Sequence, residues 1–259
     1  MLKLVYVITR RADHTPERFY DYWLNTHGPL VTAQAGALRL RRYVQSHLLA
    51  HPLGEAMASA RGMLPPVDGI TEVWWNSLAD MQAAYATPEG AASGRILSAD
   101  EARFIDFSRS QVFLTHERPV FEHPYEQGQV AAADAVKAAY LVHGRAELGQ
   151  AECQRTWWED HAPLVTRLAP ALNMRRYVQS HTAEHAVNAG FVASAGLAPP
   201  ADGLTEVWFD SLDDFARSSA TDAGRSAATA LLEDERRFVD FGRSRLFLTR
   251  EHVIFDHTR

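Results

Sequence analysis

His27 and His161 are the side chains in this sequence best suited by type and spacing to move a proton at neutral pH. Each histidine follows a tryptophan by four residues, Trp23 and Trp157, which puts both side chains on one face of a helix. An imidazole has a pKa close to neutrality, so it can act as a general acid or base. The structural alternative is that each imidazole binds backbone groups freed by the proline two residues later and packs on its tryptophan.

A second group of candidate residues lies on one predicted strand and its neighbour. Tyr43, Gln45 and His47 share one face of the first strand, and Glu72 lies on the strand that should pair with it. If the register lets Glu72 face this group, a proton could move while Tyr43 and His47 polarise a carbonyl. That chemistry suits enolisation, cyclisation, dehydration or decarboxylation. The alternative is a polar network where two sheets meet across a twofold.

Both groups occur twice in the chain, and nearby tryptophans could line an aromatic pocket, although packing is their commoner use. The candidate catalytic residues are His27, Tyr43, His47, Glu72, His161, Tyr177, His181 and Glu206. The candidate substrate-binding residues are Trp23, Gln45, Trp74, Trp157, Gln179 and Trp208.

Metal and cofactor motifs are weak in this sequence. His47 with His51, and His181 with His185, are four residues apart, a spacing that on a helix would bring two imidazoles to one metal ion. Here each pair falls where a strand runs into a loop, so a metal site is only the lesser alternative. Cys153 lies on an apolar helix face and should be a core residue. The sequence contains no phosphate-binding glycine loop or dinucleotide fingerprint, and we expect no cofactor.

The chain is an internal duplication. Residues 41–47 recur unchanged as 175–181, and His27 recurs as His161, a constant offset of 134 residues (161 − 27 = 134). The same offset carries residues 68–74 onto 202–208 and residues 104–110 onto 238–244. We therefore expect two domains, 1–122 and 136–259, joined by a polar, glycine- and alanine-containing linker at 123–135.

Each half has the element order β-α-β-β-α-β. Strands are expected at 3–9, 40–48, 70–75 and from 111, with one helix at 16–37 that Pro29 kinks or splits and another at 77–108 interrupted near Pro88. A loop of roughly twenty residues separates the second and third strands. This order is the ferredoxin-like split βαβ unit of the α+β class. Helices should cover one sheet face, and the two bare faces should pack together as a pseudo-symmetric barrel.

The composition argues against some kinds of binding partner and indicates a cellular compartment. A net charge of −6 argues against a nucleic-acid partner, because phosphate binding needs a concentrated basic surface. The single cysteine suits a reducing compartment. No apolar run approaches the roughly 18 residues that a membrane span needs, and the first residues lack a signal peptide's pattern. We expect a cytoplasmic protein without a membrane partner, either a monomeric pseudo-dimer or a homodimer.

The sequence resembles the EthD family of the dimeric α+β barrel superfamily. The resemblance rests on Trp23, His27, Pro29, Leu30 and Val31 followed by residues 42–47, and the second half repeats this pattern at the same offset. It covers nearly all of both halves and implies a tandem protein whose two domains replace the usual homodimer. Members of the family occur in ether-degradation operons and polyketide pathways, where relatives act as decarboxylases or dehydratases.

The resemblance therefore implies a small-molecule enzyme. Wider superfamily members include cofactor-free aromatic monooxygenases and polyketide cyclases, which use a His and a Tyr in a cleft between sheet and helices. We favour a cofactor-independent lyase, isomerase or cyclase acting on an aromatic or polyketide-like substrate. The alternatives are a cofactor-free monooxygenase and a non-catalytic binding module. Residues 48–66 differ strongly from residues 182–200, so we also expect the two pockets to have diverged.

Overall fold

The computed structural model describes residues 1–123, 134–184 and 186–258. Its strands are β1 Leu2–Ile8, β2 Arg42–Leu48, β3 Gly69–Trp75, β4 Gln111–Glu122, β5 Val136–Val142, β6 Arg176–Thr182, β7 Gly203–Phe209 and β8 Arg245–Asp256. Its helices are α1 Pro16–Tyr22, α2 Gly28–Gln34, α3 Pro52–Ser59, α4 Leu78–Tyr85, α5 Pro88–Glu101, α6 Gly149–Thr156, α7 Ala162–Leu168, α8 Ala186–Ala195, α9 Leu212–Ser219 and α10 Asp222–Glu235. Within the described ranges, no helix is long and apolar enough to cross a membrane.

The eight strands close into one antiparallel barrel, in the order β1-β3-β2-β8-β5-β7-β6-β4. Each half contributes a ferredoxin-like sheet, and the halves join where β2 pairs with β8 and β4 pairs with β6. The predicted α+β fold and the intramolecular pseudo-twofold barrel are therefore confirmed. β4 and β8 each have twelve residues, because their far ends leave their own sheet to pair with the other half. Residues 124–133 of the predicted linker lie outside the described residues.

The helix expected at 16–37 is split, as the proline predicted. α1 ends at Tyr22, one turn of π-helix spans Trp23–His27, and α2 begins at Gly28 with a proline in its first turn. The second half repeats this arrangement, with π-helix at Trp157–His161 between α6 and α7. A π-helical turn is rare and often marks a functional site, because it rotates one side chain out of the regular helix pattern. Each turn ends on its candidate histidine.

The long loop expected after β2 contains a helix, so that expectation is wrong. α3 begins at Pro52, where the fixed φ of proline suits the first helical turn, and His51 caps it by accepting a hydrogen bond from the Leu53 amide at 3.2 Å. α3 leaves its own half and packs on β8. Its counterpart α8 packs in the same way on β4. Each half therefore places one helix over the other half.

A pair of glycines permits close packing between the π-helical turns and the sheet. A Cβ atom at Gly69 would lie 2.7 Å from the Trp23 ring and 2.5 Å from the Ser46 carbonyl oxygen. Gly203 has the same relation to Trp157, at 2.6 Å. Both tryptophan side chains are almost fully buried against these glycines. The packing fixes the height of each π-helical turn above its sheet.

Candidate functional site

Two cavities lie between the helices and the outer face of the sheet, one in each half. The first-half cavity has a volume of about 790 Å³ and the second-half cavity about 410 Å³. Both are lined mainly by apolar side chains with a few polar groups, which is typical of sites for small organic ligands. The apolar walls of the first-half cavity include Leu4, Val31, Leu38, Val73, Trp75, Met81, Leu97, Phe107, Val112 and Phe191.

His27 lines the first-half cavity and is oriented by a carboxylate. Its Nδ1 lies 2.8 Å from Oδ2 of Asp100, and the Tyr22 hydroxyl donates to the other oxygen of Asp100 at 2.5 Å. Within the described part of the chain, the Nε2 atom of His27 has no hydrogen-bond partner. Burial lowers the pKa of His27, although Asp100 partly offsets this effect. A neutral imidazole whose Nδ1–H is held by a carboxylate presents Nε2 as a base.

The predicted structural alternative for His27 is not what the structure shows. The imidazole binds a side-chain carboxylate rather than backbone groups of the split helix, and it packs on Phe104 at 5.1 Å between ring centroids. The carbonyl oxygen of Trp23, in the π-helical turn, instead accepts a hydrogen bond from Gln45 at 2.9 Å.

Glu101 is an acidic residue that lines the first-half cavity. Its side chain is half-buried and lines the cavity, and among the described residues no arginine, lysine or histidine forms an ion pair with it. Burial, with a smaller contribution from the charge of Asp100, raises the pKa of Glu101 to about 8. Tyr6, Tyr43 and Tyr85 line the same cavity. Glu101 therefore holds a proton at neutral pH in an apolar space lined by phenols.

The second-half cavity contains the equivalent carboxylate in an ion pair. Arg61 donates from Nε and Nη2 to the two oxygens of Glu235, at 2.6 and 2.9 Å. The residue equivalent to Arg61 in the first-half cavity is Ala195, and the residue equivalent to Tyr85 in the second is Ser219. Arg61 fills space that remains open in the first half.

Each cavity is completed by the other half of the chain. Phe191 and Ala195 of α8 line the first-half cavity, whereas Met57 of α3 and Arg61, which follows α3, line the second. The difference between the two cavities at Arg61 and Ala195 therefore follows from the divergence of residues 48–66 and 182–200. This is the segment in which the sequence predicted divergence.

His161 repeats the contact of His27 in altered surroundings. Its Nδ1 lies 2.8 Å from Oδ2 of Asp234, but that carboxylate also accepts a hydrogen bond from Arg237 at 2.7 Å. The position equivalent to Tyr22 is Thr156. The hydrogen bond from His161, the largest influence, and that from Arg237 hold the pKa of Asp234 below its usual range, while burial opposes them.

His47 and His181 lie outside both cavities. Nε2 of His47 is 2.9 Å from Oε1 of Gln45, and its ring stacks on Trp23 at 4.5 Å between centroids. Gln45 also donates to the Tyr43 hydroxyl at 2.8 Å. Burial lowers the pKa of His47 to about 3, with a smaller effect from His252. His47 is thus a neutral member of the network that supports the π-helical turn.

The second half has the same network. Gln179 contacts the hydroxyl of Tyr177 at 2.6 Å and Nε2 of His181 at 2.8 Å, and His181 stacks on Trp157 at 4.6 Å. Burial lowers the pKa of His181 to about 3, with smaller effects from Arg118 and His116. Of the predicted strand-two group, only Tyr43 and Tyr177 reach the cavities.

Glu72 and Glu206 do not face the tyrosines and histidines, so that expected arrangement is wrong. Glu72 pairs in register with Val44, and the alternation of strand side chains then sends it into the barrel, opposite to Tyr43. There Glu72 binds Lys3 at 2.6 Å and Lys137 at 2.5 Å. Glu206 binds the same two lysines, at 2.8 Å for Lys137.

Trp74 and Trp208 also lie in the barrel interior and line neither cavity. The Trp74 indole donates to Glu117 at 3.0 Å, and the Trp208 indole donates to Glu251 at 2.7 Å. The guanidinium group of Arg42 stacks over Trp74 at 4.7 Å. Their expected place in an aromatic ligand pocket is therefore wrong, because they point to the barrel side of the sheet.

The carboxylates of Glu72, Glu206 and Glu251 lie close enough together to hold a metal ion. Lys137 already contacts all three, at distances of 2.5 to 2.9 Å, and so takes the central position that a cation would need. In the first predicted imidazole pair, His51 caps α3. In the second pair, His185 lies outside the described residues. Cys153 is buried in the core, as predicted, and burial raises the pKa of its thiol to about 12.

Sequence reasoning missed Asp100 and Glu101, and of the three phenols in the first-half cavity it identified only Tyr43. One available signal was the Asp-Glu pair itself, which recurs as Asp234 and Glu235 at the common offset. A second was the pairing of Arg61 with Ala195 in the diverged segments. Neither signal indicates contact with His27, because that contact depends on how α5 crosses the split helix.

The family comparison matches the EthD domain twice, at residues 11–108 and 145–242. No curated protein matches this chain. Among solved structures, an anthrone oxidase-like protein is similar over 99% of this chain and 94% of its own, with 14% identity and a TM-score of 0.55. A provisionally named monooxygenase of Fusobacterium nucleatum subsp. nucleatum is similar over 98% of this chain and 92% of its own, with 7% identity and a TM-score of 0.51.

At these identities the two structures are similar to this chain in fold alone. An ethyl tert-butyl ether d (EthD) family protein from Bacillus halodurans C-125 is 23% identical over 46% of this chain and 99% of its own, with a TM-score of 0.33. The two family matches together span most of the sequence, one in each half of the barrel. The chain therefore belongs to the EthD domain family and carries that domain twice.

Proposed function

We propose that the first-half cavity is the active site of a small-molecule enzyme, in which His27 removes a proton from an aromatic or polyketide-like substrate. The observation that carries this proposal is the contact of His27 with Asp100 at the wall of an apolar cavity of about 790 Å³. A cavity of that volume accommodates a molecule of several fused rings. The second-half cavity has a similar histidine but is partly filled by Arg61.

The proposed step is a proton transfer from an acidic C–H group to Nε2 of His27. Asp100 accepts the Nδ1–H bond and stabilises the imidazolium that forms, while Tyr22 holds the carboxylate in place. Because burial lowers the pKa of His27, the imidazole is neutral and ready to accept a proton at pH 7. The phenols of Tyr6 and Tyr43 on the sheet are donors available to the developing oxyanion.

Proton abstraction is the first step of several reactions, and we favour a lyase, isomerase or cyclase that needs no cofactor. A second candidate is a cofactor-free monooxygenase, in which the deprotonated, electron-rich ring reacts with O₂. The observation that favours it is the fold similarity, over nearly the whole chain, to the anthrone oxidase-like protein. The two candidates share His27 and differ in their need for oxygen.

The test is a panel of anthrones, hydroxylated aromatic acids and β-keto compounds incubated with the protein in D₂O, under nitrogen and under air. We expect deuterium to enter one acidic position of a panel member in both atmospheres, and oxygen uptake only if the second candidate is correct. Asp100→Asn should slow exchange by roughly 10²–10⁴-fold, because the imidazole loses its orienting carboxylate. Binding of panel members without any exchange would contradict the proposal and favour a non-catalytic binding module.

A further inference from the structure

We propose that the first-half cavity recognises a ligand with a cationic nitrogen group, an aryl amidinium or guanidinium, and that Glu101 is its anchor. This inference rests on the proposed function in one respect, which is that the ligand binds in the same cavity. It narrows the class of substrate proposed for that cavity. The inference rests on a comparison of the two halves. In the second half, the equivalent glutamate, Glu235, is bound to the guanidinium group of Arg61.

The second-half cavity shows how a cation occupies this position. The guanidinium group of Arg61 binds both oxygens of Glu235, and this planar two-point geometry matches a carboxylate well. Arg61 enters from the segment that follows α3 and lies along the cavity lining beside Met57. An amidinium or guanidinium ligand would present the same pair of N–H donors to Glu101.

The first-half cavity has the carboxyl group, but no described residue pairs with it as Arg61 pairs with Glu235, since Arg95 in the lining is exposed and forms no ion pair with Glu101. Ala195 replaces Arg61, and the cavity is about twice as large. A carboxyl group in an apolar cavity is costly to ionise unless a positive charge reaches it. A cationic ligand would supply that charge where the chain does not.

The remaining groups around Glu101 favour a cation with an aromatic body. Asp100 adds negative charge, and no positive charge from the chain acts on Glu101 strongly enough to offset burial. Trp75, Phe107 and Phe191 provide flat apolar contact surfaces. The titratable and charged side chains near Glu101 are Tyr6, Tyr43, Tyr85 and Asp100, with His27 and Arg95 in the cavity lining. Burial raises the pKa of each of the three tyrosines, and Glu101 makes a smaller contribution in the same direction.

Binding of such a cation should depend on pH in a defined direction. Burial raises the pKa of Glu101 to about 8, so at neutral pH the incoming cation must displace a proton. Affinity should therefore rise about tenfold for each pH unit up to about pH 8 and then level off. A neutral ligand would show no such rise.

The experiment is isothermal titration of the full chain with benzamidine and 2-naphthamidine, compared with their neutral carboxamides and their carboxylates. We expect the amidines to bind preferentially, with proton release below pH 8. Glu101→Gln should weaken amidine binding by roughly 10- to 100-fold, the range for losing charged hydrogen bonds. Glu235→Gln is the matched control and should leave amidine binding unchanged.

A gain of charge provides a second variant. Ala195→Arg should place a guanidinium on Glu101, abolish amidine binding and keep the melting temperature at or above that of the wild type. The inference is overturned if neither amidine binds, if the carboxamides or carboxylates bind as tightly, or if Glu101→Gln has no effect. His27→Gln should leave amidine binding intact while abolishing deuterium exchange, so failure of this inference and failure of the proposed function are distinguishable.

Discussion

His27 and His47 show how the immediate neighbours of an imidazole decide its chemistry. His27 has one ring nitrogen on a carboxylate and the other free of partners among the described residues, at a cavity wall. His47 has Nε2 on an amide oxygen and its ring face on Trp23. Only the first arrangement can stabilise an imidazolium, because it provides a negative charge.

The neutral state of His47 and His181 predicts a specific loss of stability in acid. Their pKa values are about 3 when folded and near 6.5 in an unfolded chain, because burial disfavours the charged form. Between about pH 6.5 and pH 3, the unfolded state therefore binds two protons that the folded state does not bind. The stabilisation is complete above about pH 6.5 and is lost as the pH falls toward 3, by up to about 1.4 kcal/mol per pH unit for each histidine.

Two measurements check this prediction. Urea unfolding between pH 7 and pH 4 should show the decline, and proton NMR should show that the rings of His47 and His181 do not titrate between pH 5 and 8. Variants His47→Asn and His181→Asn assign the two signals. Titration of either ring near pH 6.5 in the folded protein would contradict the account.

At the scale of single residues, part of the site could be predicted from the sequence. The alternation along strand two correctly groups Tyr43, Gln45 and His47 on one face. The β3 side chains that lie beside this face could not be predicted, because a shift of one residue in the register of β3 moves Glu72 to the opposite side of the sheet. Asp100 was missed because nothing in the spacing along α5 distinguishes it from other acidic residues of a helix surface.

At the scale of elements, the crossing of α3 and α8 explains why a duplicated chain can do what a homodimer cannot. In a homodimer both cavities would receive the same lid residue. Here the lid positions are Arg61 over one cavity and Ala195 over the other, because the two copies are free to change separately. The first-half cavity keeps its volume. In the second-half cavity, Arg61 neutralises the charge of Glu235 and partly fills the space.

The split helix was predicted because proline disrupts a helix by a known mechanism. The helices α3 and α8 were not predicted, since their short, alanine-rich sequences have little apolar periodicity. α3 depends on a proline start, a histidine cap and packing against the opposite half, and the last of these is a tertiary contact that local sequence does not show.

The close approach of the π-helical turn to the sheet predicts a sensitive position. Gly69→Ala should destabilise the protein by about 1–3 kcal/mol, because the added methyl group would meet the Trp23 ring and the Ser46 carbonyl. Gly36→Ala is the control, since nothing lies within 4 Å of a Cβ atom there. Urea unfolding checks both variants. Equal stability of the two variants would show that the contact with Trp23 is not tight.

At the scale of the whole molecule, the barrel is closed around a buried ionic cluster. Lys3 and Lys137 are the two lysines of the entire sequence, and both lie inside, surrounded by Glu72, Glu206 and two further glutamates. Although burial opposes it, the nearby carboxylates, led by Glu206, raise the pKa of both ammonium groups. Burial opposes ionisation of Glu72 too, but Lys137 and Lys3 hold its pKa well below the usual range.

Removing one member of this cluster should be strongly destabilising. Lys3→Met leaves buried carboxylates short of a cation and should lower the free energy of unfolding by about 3–5 kcal/mol. Arg155→Met, which breaks exposed ion pairs with Glu152 and Glu159, is the control and should have no measurable effect. Denaturant unfolding measures both. A change in Lys3→Met as small as in the control would contradict the buried cluster.

The barrel itself could be predicted from the repeat, because two ferredoxin-like sheets from one chain each leave a face to cover. The charges inside it could not, since Lys3 in a short strand gives no sign of which face it takes. The extra length of β4 and β8 was also missed, because their pairing partner lies in the other half of the chain.

The most direct test of a single working cavity is deuterium exchange into the same panel substrate by His27→Gln and His161→Gln, measured in parallel. The two variants remove equivalent imidazoles from equivalent π-helical turns, so their effects on folding should be alike and can be checked by thermal melting. We expect His27→Gln to lose exchange by roughly 10²–10⁴-fold and His161→Gln to keep it. Equal losses, or a loss confined to His161→Gln, would contradict it.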